Sequence, residues 1–158
     1  MQGQESIIER LIQYQVEFVI IGGFAAVAHG ATMMTEDLDI CAPLDFTNLT
    51  KIQDSLKGLN PVHRLTPQKL PFNLSELDFN SIQNIYLDTD YGVIDLLSNV
   101  KGLGDYNEIF HRSIILKLDV GECPVLNLDD LITAKRAVNT AKDKMTILQL
   151  RAIKEKLK

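Results

Sequence analysis

The hydrophobic positions change period along the chain, and each change marks an element. Ile7, Ile8, Leu11 and Ile12 recur at helical spacing from Ser6-Ile-Ile-Glu9, a capping-box pattern, so a helix is predicted over about 6–15. Glu17 to Ile21 is a short β-branched and aromatic run stopped by Gly22-Gly23, which suits a buried central strand. The small residues of Phe24-Ala-Ala-Val-Ala-His29 predict a helix that packs closely on a sheet, with Gly30 as its stop. From Glu36 to Cys41 carboxylates alternate with apolar side chains, the period of a strand with two unlike faces.

Further on, Thr47 is placed to cap a helix carrying Leu49, Ile52 and Leu56 and ending at Gly58. Residues 60–72 hold three of the five prolines and read as loop or irregular strand. Ile82–Leu87 and Val93–Leu97 flank Asp88-Thr-Asp-Tyr-Gly92 as a hairpin, and Ile114–Leu118 with Pro124–Leu126 predict a second one at the sheet's periphery. Asn127 caps a helix with Asp129 and Asp130 in its first turn and Leu128, Leu131, Ile132 and Val138 as its apolar positions. A last helix carries Met145, Leu148, Leu150 and Ile153. Helices and strands do not alternate strictly, and two hairpins are present. The fold class is therefore α+β, loosely α/β, with a mixed sheet and helices packed around it.

At 158 residues one core is expected, so residues 1–158 read as a single domain, with a sheet core over 1–126 and C-terminal helices over 127–158. The longest near-continuous apolar run, Phe18 to Ala28, is far short of the roughly 20 residues of a membrane span. No membrane association is expected. The first ten residues lack the charge and apolar pattern of a secretory leader, which points to a cytoplasmic protein with Cys41 and Cys123 free, buried and structural. Net charge is −5, but eight basic residues against two acids from Lys135 onward give +6 there and leave −11 on residues 1–134. The last lysines read as a solvated helix face.

The candidate chemistry lies between Phe18 and Ile40. On a strand Asp37 and Asp39 project from one face while Leu38 and Ile40 anchor the other. Two adjacent carboxylates near an interior call for a compensating cation, and oxygen ligands without His or Cys nearby select Mg²⁺ or Mn²⁺. Asp95, alone among the aliphatics of Gly-Val-Ile-Asp-Leu-Leu, is the candidate third carboxylate. Gly22-Gly23, at a strand-to-helix corner, lets a polyphosphate approach the backbone closely. Either half is weak alone, since glycine pairs usually serve turns and acids are usually exposed. Their order and spacing make the combination informative.

Ile21-Gly22-Gly23, Asp37-Leu38-Asp39 and Ile94-Asp95-Leu96 together resemble the motif of the nucleotidyltransferase superfamily related to DNA polymerase β, particularly its minimal, toxin-like bacterial branch. Thr35, two residues before the first aspartate, resembles that branch's Thr-x-Asp-x-Asp variant; Lys135 and the pair Lys142-Asp143 resemble its C-terminal features more loosely, with Asn139 and Thr146 departing from them. The resemblance implies a mixed sheet carrying Asp37, Asp39 and Asp95 around two Mg²⁺ ions. It also implies transfer of a nucleoside monophosphate from a nucleoside triphosphate to a hydroxyl acceptor, with pyrophosphate release. Asp95 would also serve as base, Gly22, Gly23 and Thr35 would line the nucleotide site, and Lys135 and Lys142 would meet the triphosphate.

RNA (including tRNA), a protein and a small hydroxyl compound all remain open as acceptor, and a toxin–antitoxin role is one expectation. Toxin-like relatives are longer, so a partner chain or a homo-oligomer is expected to complete acceptor binding. A noncatalytic nucleotide-binding or protein-binding module on the same fold is the alternative, and a metal-dependent phosphohydrolase is a weaker third. Asp88–Gly92 departs from a calcium loop in its glycine and glutamate positions. His29, His63 and His111 are scattered, and Tyr86, Tyr91 and Tyr106 lack the interleaved basic residues of a sequence-specific RNA reader.

Overall fold

The alternation that pairs Asp37 and Asp39 with Leu38 and Ile40 organises the whole sheet. The structure, a computed structural model, describes residues 3–157. Its elements are α1 (Gln4–Gln13), β1 (Val19–Ile21), α2 (Gly22–Ala28), β2 (Asp37–Cys41), α3 (Phe46–Ser55), β3 (Val62–His63), β4 (Asn84–Thr89), β5 (Gly92–Leu97), β6 (Asn99–Val100), β7 (Gly104–Asp105), α4 (Tyr106–Arg112), β8 (Ile114–Leu118), β9 (Gly121–Val125), α5 (Leu128–Val138) and α6 (Ala141–Lys156), with one 3₁₀ turn at Leu74–Glu76. Seven strands form one sheet in the order β3-β4-β5-β2-β1-β9-β8, and β6 pairs with β7 beside it. The β2–β5 and β1–β9 pairs are parallel and the rest antiparallel, so the sheet is mixed as expected.

Register puts apolar side chains in rows on one face. Leu38, Ile94 and Leu87 are mutual partners, as are Ile40, Leu96 and Ile85, and all six are buried. Each contributes about 2 kcal/mol through the area it removes from water. Helix α1 contributes Ile7, Ile8 and Leu11 to the same core, and α3, which packs on α1, contributes Leu49, Ile52 and Leu56. Helices α2, α5 and α6 form a second group, α5 touching both others. Among the described residues no helix is long and apolar enough to cross a membrane. Cys41 and Cys123 are free and buried, and burial pushes both thiols up, Cys41 to about 12 and Cys123 to about 11.

Several boundaries differ from expectation for physical reasons. Ser6 does not cap α1: Gly3 does, with no side-chain bond, and Ser6 and Ile7 donate their backbone amides to its carbonyl. Asp45, not Thr47, caps α3 by accepting from the Asn48 amide at 2.8 Å. The hairpin β8–β9 has only β8 at the sheet's edge, because β9 also pairs in parallel with β1. Helix α4 was not expected. Helix α6 buries Asp143, Thr146, Ile147 and Leu150, whereas Met145 and Leu148 are exposed. Val138 is exposed as well.

Candidate active site

Strand β1 ends at Ile21, whose extended backbone turns directly into α2 through Gly22. Gly22 has φ +69°, and a Cβ built there would lie 2.6 Å from Asp39 Oδ2. Both facts demand glycine: an L side chain would be strained and would collide with the carboxylate. Asp39 sits opposite Ile21 in the β1–β2 register, so the corner and the carboxylate are held against each other by strand pairing. At Gly23 a Cβ would meet Thr35 Cγ2 at 2.8 Å, which assigns the Thr35 methyl a packing role on the corner. The far end of α2 is tied down by His29, whose Nε2 lies 2.8 Å from the Leu126 carbonyl oxygen.

A polar row crosses the other face of the sheet. Asp39 pairs with Asp95 across β2–β5, and Asp95 pairs with Tyr86 across β5–β4. Neighbouring strands lie about 4.8 Å apart, so the two carboxylates are adjacent. Arg64, just beyond β3, donates its backbone amide to the Tyr86 carbonyl at 3.1 Å. Its guanidinium grips Asp95 with both arms, Nε to Oδ1 at 3.1 Å and Nη2 to Oδ2 at 2.6 Å, and lies 5.3 Å from the centre of the Tyr86 ring. Asp95 is only 7% exposed. In contrast, no hydrogen bond or ion pair among the described residues reaches the Asp39 carboxylate. Burial above all, then the charges of Asp95 and Asp37, raise its pKa from 3.8 to about 7 against the opposing pull of Lys135 and Arg64.

Lys135 enters from α5. Its Nζ lies 3.3 Å from Asp143 Oδ1, and both side chains are largely enclosed. Asp143 is itself fixed by a capping box at the start of α6, accepting from the Thr140 amide and hydroxyl while its own amide donates to Thr140 Oγ1. Burial works to raise the Asp143 carboxyl, but the Thr140 bonds and Lys135 outweigh it and hold the group below its ordinary range.

Two cavities meet at these groups. One, of about 420 Å³, is lined by Gly23, Thr35, Asp37, Asp39, Lys135 and Lys142, among others. The second, of about 640 Å³, shares Asp39, Lys135 and Asp143 with it and runs past Gly22 and Tyr86 between aliphatic walls that include Ile21, Leu97, Val100, Leu131 and Val138. The first is lined by four carboxylates, Glu36, Asp37, Asp39 and Asp143, and two lysines, and the second mixes its aliphatic walls with polar groups that include Gln83, Asn84, Ser98, Asn99 and Lys101.

The structure thus brings together Gly22, Gly23, Thr35, Asp37, Asp39, Lys135 and Lys142 and places Asp95 beside Asp39. Among the described residues no group of three His, Cys, Asp or Glu side chains is arranged to hold a metal. Asp95 is taken by Arg64. The residues that fit a divalent cation are Asp37 and Asp39, two hard oxygen donors on one face with Asp39 uncompensated. Arg64 escaped the sequence reading of the site, and so did the role of Asp143 as the partner of Lys135. Only a strand period running from Val62 to Arg64 hinted at the first, and the Thr140-x-x-Asp143 spacing at the second.

No protein-family model and no curated protein matches the sequence. Solved structures do. The chain has the nucleotidyltransferase fold, a mixed sheet with helices around it, and the likeness extends over its full length. The structure of the lincosamide antibiotic adenylyltransferase LnuA with lincomycin bound superposes with a TM-score of 0.63 at 16% identity, covering 97% of this chain and 99% of that one. A second, JHP933 from Helicobacter pylori, has a TM-score of 0.44 at 11% identity over 82% of this chain and 51% of its own.

Proposed function

We propose that this protein transfers a nucleoside monophosphate from a nucleoside triphosphate to the hydroxyl of a small organic acceptor. The observation that carries the reading is the pair of joined cavities: a polar one between Asp37, Asp39, Lys135 and Lys142, and a larger one with aliphatic walls that shares Asp39 and Lys135. With four carboxylates against two lysines, the first would receive a triphosphate only with a divalent cation between them. The second has a volume within the usual range of about 300–1,000 Å³ for pockets that enclose small molecules. A full-length fold match to an antibiotic adenylyltransferase supports the same choice of acceptor over RNA or protein.

In this reading the acceptor oxygen attacks the α-phosphorus, the bond to the β-phosphate oxygen breaks, and pyrophosphate leaves while the hydroxyl proton passes to a base at the site. Asp37 and Asp39 would hold a divalent cation. When bound there, Mg²⁺ or Mn²⁺ supplies charge neutralisation and polarises a phosphoryl oxygen. Lys135, kept in place by Asp143, faces the charge that develops on the leaving pyrophosphate, and Lys142 adds a second positive group at the mouth. Gly22 leaves room at the corner for the Asp39 carboxylate, and Gly23 for the Thr35 methyl. The aliphatic walls position the acceptor.

A second reading, a noncatalytic nucleotide-binding module, is favoured by one observation, the engagement of Asp95 by Arg64. A transfer assay separates the two. Purified protein is incubated with each α-labelled triphosphate, Mg²⁺ and, in separate reactions, hydroxylated small molecules including lincosamides, total RNA, and lysate protein. The expected result is label on a small acceptor with equivalent pyrophosphate. Label only on RNA or protein overturns the choice of acceptor, and Mg²⁺-dependent binding without transfer to any of them establishes the module.

A further inference from the structure

The Arg64–Asp95 pair is a strongly built contact that nucleotidyl transfer, as described, leaves unused. Both arms of the guanidinium fork are engaged, at 3.1 and 2.6 Å, in the planar bidentate geometry that arginine and carboxylate share. The arginine is not a loosely held surface side chain. Its amide is bonded to the Tyr86 carbonyl, its guanidinium lies against the Tyr86 ring, and Tyr86 is the register partner of Asp95. Asp39, the carboxylate on the other side of Asp95, has no such partner. The row therefore contains one carboxylate already neutralised by the protein and one left for something else to neutralise.

A dication drawn to Asp95 would meet a fixed positive charge within one hydrogen-bond length, and like charges at that range oppose binding. We propose that the Arg64 guanidinium stands where a second divalent cation would otherwise be required, so that this chain binds one cation, at Asp37 and Asp39, and Arg64 is a positioning residue that fixes Asp95 and sets the cation count. The proposal rests on the reading above only in taking the Asp37–Asp39 pair as a cation site.

The test is a titration of the full chain with Mn²⁺, following free Mn²⁺ by electron paramagnetic resonance. Wild type should bind one ion per chain, Asp39→Asn none, Arg64→Gln two, and the double variant Arg64→Gln/Asp95→Asn one. Wild type binding two ions would overturn the Arg64 assignment and leave the transfer reading standing, whereas wild type binding none would remove both. A folded Arg64→Gln that still binds one ion would also overturn it. Because Asp95 is buried, Arg64→Gln will lose stability, so the rise in melting temperature on adding saturating Mn²⁺ is measured too. That rise should be at least twice as large in Arg64→Gln as in wild type, and an equal rise contradicts the proposal.

Discussion

Asp39→Asn should make the cation-free protein more stable at pH 8. Asp39 ionises in the folded state at about 7 instead of 3.8, because burial and the neighbouring Asp95 and Asp37 oppose its charge. A carboxyl raised in this way imposes no penalty below 3.8, where it is protonated folded or unfolded. The penalty grows as pH climbs from 3.8 to about 7 and is complete above that. At 1.36 kcal/mol per pKa unit the span corresponds to an upper bound of about 4 kcal/mol. Asp39 is half-buried, and solvent screening reduces this to about 1–2 kcal/mol. For a chain of this size that is a rise in Tm of roughly 3–6 °C. The assay is thermal unfolding in EDTA at pH 4, 6 and 8. The variant's advantage should be absent at pH 4 and greatest at pH 8, and millimolar Mg²⁺ should give wild type a similar gain at pH 8 that Asp39→Asn does not share. A variant less stable than wild type at pH 8 would refute the reasoning, since it would mean that the Asp39 charge is already compensated by the protein.

Gly22→Ala should lose about 1–2 kcal/mol from the positive φ alone and more from the displaced Asp39 carboxylate, read as a lower urea midpoint together with weakened Mn²⁺ binding; unchanged Mn²⁺ affinity would separate the corner from the site. Lys135→Met should weaken Mg²⁺-triphosphate binding at least tenfold, about 1.4 kcal/mol, by calorimetry while the far-ultraviolet spectrum is retained. Asp143→Asn should destabilise the fold at pH 7. Because the folded pKa of Asp143 is depressed, the stability it adds is present above 3.8 and lost as pH falls through the folded value, so the deficit of the variant should narrow in acid; a deficit independent of pH would contradict this.

The strand-corner-strand core of the site was legible because each part is local. Alternation in Asp37–Cys41, the aliphatic flanks of Asp95 and the glycine pair all act within a few residues. That β2 and β5 are parallel neighbours in a register that sets Asp39 against Asp95 is a tertiary fact that no window of sequence contains. Arg64 was hidden for a related reason: it lies in a proline-bearing segment whose two-residue strand is held by pairing with β4 and by a bridge to Pro71. Helix α4 buries only Ile109, too little for a periodic signal. In α6 the apolar residues suggested a phase through Met145 and Leu148, but the capping box and the Lys135–Asp143 pair turn Asp143 and Thr146 inward and leave those two exposed. A polar contact, invisible to a hydrophobic pattern, shares the buried face of that helix with Ile147 and Leu150.

Crystals grown with a non-hydrolysable triphosphate and Mn²⁺ would show directly whether the Asp39–Lys135 corner receives the triphosphate. Phosphate density between the Asp37–Asp39 pair and Lys135, with an anomalous Mn²⁺ peak on those carboxylates, is the expected result. A nucleotide seated elsewhere, such as in the cleft of Arg136 and Arg151 between α5 and α6, would contradict it.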